Sequence, residues 1–181
     1  KEMLSLMKKS GLKRLYLGIE TGSQRLLDFY RKGYKVDLIG EQVRIIKENN
    51  IEAAGFFIVG GFQTEEEFKK DIILAKQLNL DYILVEKITP YPGTKLFEDT
   101  KDSITFNLFP YLNKLKDARL QEKAIRLEKI FYRNFYFNPR HSIKMLKYLF
   151  LNPRDFINGA KKSIQFLFCC QDSQETRPEL I

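Results

Sequence analysis

The residues that could do chemistry in this chain gather where apolar runs stop. The run opening "KRLYLGIETGSQRLLDFYRKG" (residues 13–33) ends on Glu20, with Ser23 just beyond and Lys32 twelve residues on. A second run, in "FFIVGGFQTEEE", passes through Ile58 and breaks at Gly60 and Gly61, and a third leads into "KITPYPGT", which holds Thr89, Pro90, Tyr91 and Pro92. A carboxylate at Glu20 could accept hydrogen bonds from a sugar diol or a ligand ammonium, and Lys32 could pair with a ligand carboxylate. Gly60 and Gly61 remove side chains where backbone must turn sharply or approach a ligand closely. Ile58 is apolar enough to lie on a flat ring. The two prolines stiffen a loop whose backbone groups could meet a base edge.

Each of these residues also has a plainer structural role. Ser23 is placed to cap the following helix. The acidic run Glu65 to Glu67 complements the positive end of its own helix. Lys32 taken alone is a solvated lysine, and His141 in "NPRHS" reads as a capping or surface residue. Cys169 and Cys170 are adjacent, which excludes a disulfide framework and matches no zinc or iron-sulfur spacing.

The elements that must hold these residues follow from hydrophobic periodicity. Arg14 to Ile19, Ala53 to Val59 and Tyr82 to Ile88 are short, continuous apolar runs of the kind buried on both faces of a parallel sheet. Between them, Asp37 is expected to cap a helix to about Asn49 that turns Leu38, Ile39, Val43 and Ile46 inward. Thr64 with Glu67 forms a capping box opening a helix to about Leu78, with Phe68, Ile72 and Ala75 inside. Alternating helices and strands imply repeated βα units, in which ligands meet the carboxyl ends of the strands. All the residues singled out above lie at such ends.

From Ser103 the pattern is expected to be helical throughout. Leu120, Ala124, Leu127 and Phe131 share one helical face, and "NPR" at 138–140 and 152–154 marks two further helix starts. The last helix would carry Phe156, Ile157, Ala160, Ile164, Leu167 and Phe168 on one side, and the polar tail from 169 frays. Residues 103–168 contain 13 Lys and Arg against 4 Asp and Glu, so the chain's net charge of +8 belongs to this segment. A basic, Phe-rich helical segment suits peripheral contact with an anionic membrane. For nucleic acid the basicity stands alone, without an RNA-recognition or zinc-finger pattern.

The 181 residues are 44% hydrophobic and 30% charged, a globular balance, and no apolar run reaches the roughly 18 residues of a membrane-spanning helix. No secretory signal is visible at the start, so a cytoplasmic location is the default expectation. The chain opens without methionine, in what reads as an amphipathic helix already under way, and is expected to be a piece of something longer.

Taken in order, "GLKRLYLGIETGSQRLLDFYRKG", "GFFIVGGFQTEEEF" and "LDYILVEKITPYPGTKLFE" resemble the second half of the radical S-adenosylmethionine (radical SAM) core. The resemblance is to the cobalamin-binding subgroup that includes anaerobic magnesium-protoporphyrin ester cyclases and hopanoid methylases. It implies an α/β fold, the C-terminal half of a partial (β/α)6 TIM-like barrel with three parallel strands, followed by an all-helical extension. Residues 1–102 would be the half-core, 103–168 the basic helical extension and 169–181 a flexible tail.

In that family a [4Fe-4S] cluster held by three cysteines binds S-adenosylmethionine and cleaves it reductively to a 5'-deoxyadenosyl radical. Carried onto this sequence, the resemblance puts Glu20 and Ser23 at the ribose or methionyl end and Lys32 at the methionyl carboxylate. Ile58, Gly60 and Gly61 would lie beside adenine, with Thr89, Pro90, Tyr91 and Pro92 in the adenine-side loop. "GGFQTEEE" departs from the commoner "GxPGETEE", with Phe62 and Gln63 where Pro and Gly are usual. The cluster cysteines and any cobalamin domain would lie upstream, so neither cofactor is assigned to this chain.

The chain alone is therefore expected to be inert, to bind S-adenosylmethionine weakly or not at all, and to present an exposed edge strand where half a barrel ends. Its expected partners are the missing N-terminal half of the barrel and a small-molecule or lipid-like substrate. Two alternatives remain open on the residues alone: a βα module in which Gly60 and Gly61 cradle a phosphate, and a basic interaction module.

Overall fold

The computed structural model describes residues 2–94, 97, 98, 101–105, 114, 115, 118–139, 141–143 and 146. The helix starting at "NPR" 152–154, its apolar face, both cysteines and the tail lie outside the described residues. The chain divides into two compact units, Lys1–Tyr136 and Phe137–Ile181.

In the first unit the order is α1 (Glu2–Lys9), β1 (Arg14–Glu20), α2 (Gln24–Phe29), α3 (Val36–Glu48), β2 (Glu52–Val59), α4 (Glu65–Gln77) and β3 (Tyr82–Lys87). A 3-10 turn at Lys101–Ser103 then leads to β4 (Ile104–Thr105), β5 (Lys114–Leu115) and α5 (Ala118–Tyr136). The three long strands form a parallel sheet in the order β1-β2-β3. This is the parallel βα arrangement that the three apolar runs imply, and the half-barrel that the resemblance implies. The segment after Ser103 is not helical from its start, because β4 and β5 pair antiparallel before α5 begins.

One face of the sheet is sealed by helices and the other is half-open. Ala53, Phe57 and Val59 of β2 and Ile83 and Val85 of β3 are buried under α3, α4 and α5, whereas Tyr16 and Glu86 are exposed and Phe56 and Ile58 half-buried. The period of two along each strand separates the two sets. Phe131 of α5 keys the helical layer together, its ring 4.8 Å from Phe57 and 5.9 Å from Phe68 of α4. Burying each such ring contributes roughly 1.5–3 kcal/mol.

Two details of the helices differ from expectation. α3 has Lys35 at its N-cap without a side-chain bond, so Asp37 sits in the first turn instead of capping it. The buried stripe of α3 is Ile39, Val43 and Ile46, spaced four and three apart, which leaves Leu38 one step off the stripe and half exposed. The capping box of α4 is present: the Glu67 N–H donates to Thr64 Oγ1 at 3.2 Å, and the Thr64 N–H donates to the Glu67 carboxylate at 2.9 Å.

The outer edge of β3 is covered, whereas the exposed edge expected where half a barrel ends is that of β1. Val85 N–H donates to the Tyr132 hydroxyl at 2.9 Å and Ile83 N–H to the Tyr136 hydroxyl at 3.4 Å, both tyrosines coming from α5. On the opposite edge, the Tyr34 hydroxyl donates to the carbonyl of Gly18 in β1 at 2.6 Å, and among the described residues no further strand pairs there. In the second unit, the N–H groups of His141 and Ser142 donate to the Asn138 carbonyl, as a helix starting at Pro139 requires, and His141 is buried. Among the described residues, no helix is long and apolar enough to cross a membrane.

Candidate functional site

β1 ends in a distortion that re-aims Glu20. Its pairing to β2 slips between Gly18 and Glu20, and the Thr21 N–H returns to the Ile19 carbonyl at 2.8 Å, closing a three-residue turn. Glu20, at the centre of that turn, has φ +66°, a left-handed conformation that an L side chain adopts at a cost of about 1–3 kcal/mol. The carboxylate so directed is buried and accepts a hydrogen bond from Lys32 Nζ at 2.6 Å. Gly18 is what leaves it room, since a Cβ there would stand 2.8 Å from Glu20 Oε1. Burial and the nearby Glu20 charge push the Tyr34 phenol up to about 12.

Beneath this turn two carboxylates from α4 tie the first two strand-end loops together. Asp71, fully buried, accepts from Thr21 Oγ1 at 2.7 Å, from Gly22 N–H and from Gln63 Nε2. Burial pushes it up to about 7, against the pull of those three donors. Gln63 closes the connection by accepting from the Gly60 N–H through Oε1 at 3.3 Å. Glu67 accepts from Ser23 Oγ at 2.7 Å and from the Arg25 guanidinium at 2.7 and 2.8 Å. The Arg25 guanidinium holds the Glu67 carboxyl down to about 2, and it also reaches the Phe62 carbonyl at 3.1 Å.

Gly60 and Gly61 both lie at positive φ, +96° and +58°, as a sharp turn off β2 needs. Their missing side chains admit protein neighbours: a Cβ on Gly60 would meet Ala124 of α5 at 2.7 Å, and one on Gly61 would meet Ile88 at 2.9 Å. After β3, Pro92 and Gly93 occupy the centre of a turn in which the Thr94 N–H returns to the Tyr91 carbonyl at 3.1 Å, with Gly93 at φ +84°. Proline followed by a positive-φ glycine is the pairing a type II turn demands.

These strand ends border a cavity of about 560 Å³ lined by Phe29, Tyr30, Lys32, Ile58, Glu86 and Tyr91, with Thr89 and Ile88 on the β3 side. The structure thus brings together Lys32, Ile58, Thr89 and Tyr91 among the residues singled out from the sequence, and joins Glu20 to them through Lys32. Pro90 is buried within its loop and Pro92 is exposed on the turn. Ser23 caps α2, accepting from the Leu26 N–H, and its own hydroxyl is given to Glu67.

Sequence reasoning passed over Phe29, Tyr30, Glu86, Gln63 and Asp71. A signal existed for Asp71: it lies three residues after Phe68 and four before Ala75, an acidic residue in the buried phase of α4. A larger groove of about 710 Å³ runs between α3 and α4 past Arg44, Lys47 and Leu78, away from the strand ends.

Residues 1–75 match the model of the radical SAM superfamily. An uncharacterized methyltransferase of Pyrococcus horikoshii is 35% identical over 147 residues, which are 76% of this chain and 32% of that protein. Anaerobic magnesium-protoporphyrin IX monomethyl ester cyclase of Rubrivivax gelatinosus is 25% identical over 76% of this chain and 26% of its own length. Bacteriochlorophyllide d C-12(1)-methyltransferase of Chlorobaculum tepidum is 24% identical over 73% and 31%. The chain spans about a third or less of the length of these relatives. With the strand-end sequences and the parallel βα architecture in agreement, residues 1–75 of this chain belong to the radical SAM superfamily.

Proposed function

We propose that this chain supplies one wall of an S-adenosylmethionine site in a radical SAM enzyme acting on a small-molecule or lipid-like substrate. The observation that carries this is the cavity between the loop after α2 and the carboxyl ends of β2 and β3, where a basic residue, an apolar strand end and an aromatic loop converge. Its volume lies within the usual range for small-ligand sites. Ile58 and Tyr91 offer apolar and aromatic surface to a purine, while Lys32 offers an ammonium to a carboxylate and Glu20 a carboxylate to an ammonium or a diol. In this structure these last two pair with each other. Binding a zwitterion exchanges that internal pair for two pairs of the same kind, one to each end of the ligand.

The described residues fit the ligand and not the cluster. Among them, no three His, Cys, Asp or Glu side chains stand close enough to hold a metal. A [4Fe-4S] cluster would supply the electron for reductive cleavage and would be held by cysteines outside the described residues. Cobalamin is assigned no residue of this chain, and the partner that completes the site is the remainder of the barrel, on the β1 side.

The test is equilibrium binding of S-adenosylmethionine to the complete, cluster-reconstituted protein. Glu20→Ala and Lys32→Ala should each weaken binding roughly tenfold or more, about 1.4 kcal/mol or above. Unchanged affinity in both removes the assignment. Titration of the present chain alone should show weak binding or none, and micromolar affinity would contradict the half-site.

A further inference from the structure

We infer that Asp71 is a positioning residue for both strand-end loops, so that the β1 loop carrying Glu20 and the β2 loop carrying Gly60 are set by one buried carboxylate. The connection is continuous in the structure. Gly22 N–H and Thr21 Oγ1, immediately after Glu20, donate to Oδ1 of Asp71; Gln63 Nε2 donates to Oδ2; and the Gly60 N–H donates to Gln63 Oε1. Asp71 is fully buried and Gln63 nearly so, so water has no access to substitute for either partner. Each group in the chain needs the next, because a buried donor or acceptor left without its partner costs about 1–3 kcal/mol.

Geometry makes the coupling run both ways. The two oxygens of Asp71 face different loops, so one side chain transmits a change in either loop to the other. Gly22 lies close against α4: a Cβ there would stand 3.1 Å from the Lys70 carbonyl, one residue before Asp71. The Gln63 amide supplies the link between the two loops. The titratable groups facing Asp71 are Glu67, from its own helix and paired to Arg25, and Tyr30, beyond the end of α2. Glu67 is held down to about 2, and burial raises Tyr30 above its ordinary range. Asp71 itself stands at about 7, so near neutral pH it titrates apart from both.

The inference rests on the proposed ligand site only for what the loops are positioned to do; the coupling is readable without ligand. In the isotopically labelled 181-residue chain, the amide resonances of Gly22 and Gly60 should move together between pH 5 and 9 with one midpoint. Asp71→Asn should abolish both movements. The exchange Asp71→Asn with Gln63→Glu restores a carboxylate next to the Gly60 N–H and an amide donor facing it, and should restore the Gly60 movement.

Different midpoints in the unsubstituted chain, or a Gly60 resonance that still titrates in Asp71→Asn, would overturn the coupling. If Asp71→Asn does not fold, the shared midpoint in the unsubstituted chain decides by itself. S-adenosylmethionine affinity of the complete protein supplies the second readout, falling in Asp71→Asn and recovering in the exchange. Amides that titrate together alongside an affinity that never changes leave the coupling intact and remove the ligand assignment instead.

Discussion

Lys32 Nζ lies 2.6 Å from Glu20 Oε1, joining a strand end to the loop twelve residues later, and the lysine side chain is about a third exposed while the glutamate is nearly buried. An ion pair at such a boundary contributes modestly to stability, about 0–1 kcal/mol. Lys32→Met should nonetheless destabilise this chain by about 1–3 kcal/mol, lowering its urea midpoint, because it leaves the nearly buried Glu20 carboxylate without its partner. The same substitution in the complete protein should weaken S-adenosylmethionine binding by roughly tenfold or more, read by equilibrium titration where the variant remains folded.

Glu20 carries a backbone conformation that glycine adopts freely. Glu20→Gly and Glu20→Ala both delete the carboxylate, so their difference isolates the strain of φ +66°. The glycine variant should be the more stable by about 1–2 kcal/mol, measured by chemical denaturation. Equal stabilities would mean that the turn relaxes once the carboxylate is gone.

Gly60 and Gly93 have similar positive φ and different surroundings. Gly60→Ala brings a Cβ within 2.7 Å of Ala124, whereas Gly93→Ala meets nothing within 4 Å. Gly93→Ala should cost about 1 kcal/mol and Gly60→Ala about 2–4 kcal/mol, strain and overpacking combined. Adding Ala124→Gly to Gly60→Ala removes the clash and leaves the strain, so it should recover only part of the loss.

Tyr132→Phe keeps the ring that stacks on Tyr136 and removes the acceptor for the Val85 N–H. The expected cost is about 1–2 kcal/mol, with faster hydrogen exchange at Val85. Tyr136→Phe should cost less, because its bond from the Ile83 N–H is long at 3.4 Å.

Stability should depend on pH in two opposite ways. Asp71 has a folded value of about 7, above its ordinary 3.8, so its contribution is fully present below 3.8 and is lost as pH rises towards 7, at about 1.4 kcal/mol per unit at most. Glu67 is depressed from 4.5 to about 2, so its contribution is present above 4.5 and is lost as pH falls towards 2. Denaturation midpoints followed from pH 3 to 8 should lose the neutral-side slope in Asp71→Asn and the acid-side slope in Glu67→Gln.

The three strands and the α4 capping box were legible because their signals are local: apolar runs, and a threonine three residues before a glutamate. The positions of Lys32, Ile58, Thr89 and Tyr91 around one cavity followed from the rule that strand ends converge. The partners were not legible. Glu20 and Lys32 each read as facing a ligand, and nothing in their spacing says that they meet each other across a turn. Gly60 and Gly61 read as making a sharp turn or making way for a ligand; the turn is there, and the side chain that Gly60 makes way for is that of Ala124, 64 positions away in the sequence. Asp71 was hidden by its type, since an aspartate within a helix reads as solvated until three donors from two other segments are seen to surround it.

The tyrosine hydroxyls along β3 give the sheet a direction of growth. With Val85 and Ile83 already engaged by α5, a further strand cannot add beside β3 without prying that helix away. Beside β1 the alternate backbone groups at Arg14 and Tyr16 face outward with no strand against them among the described residues. Any polypeptide that joins this sheet, from the same molecule or a neighbour, must therefore enter from the β1 side. Two copies of the chain that lengthened this sheet would therefore meet β1 to β1, and that series ends at two.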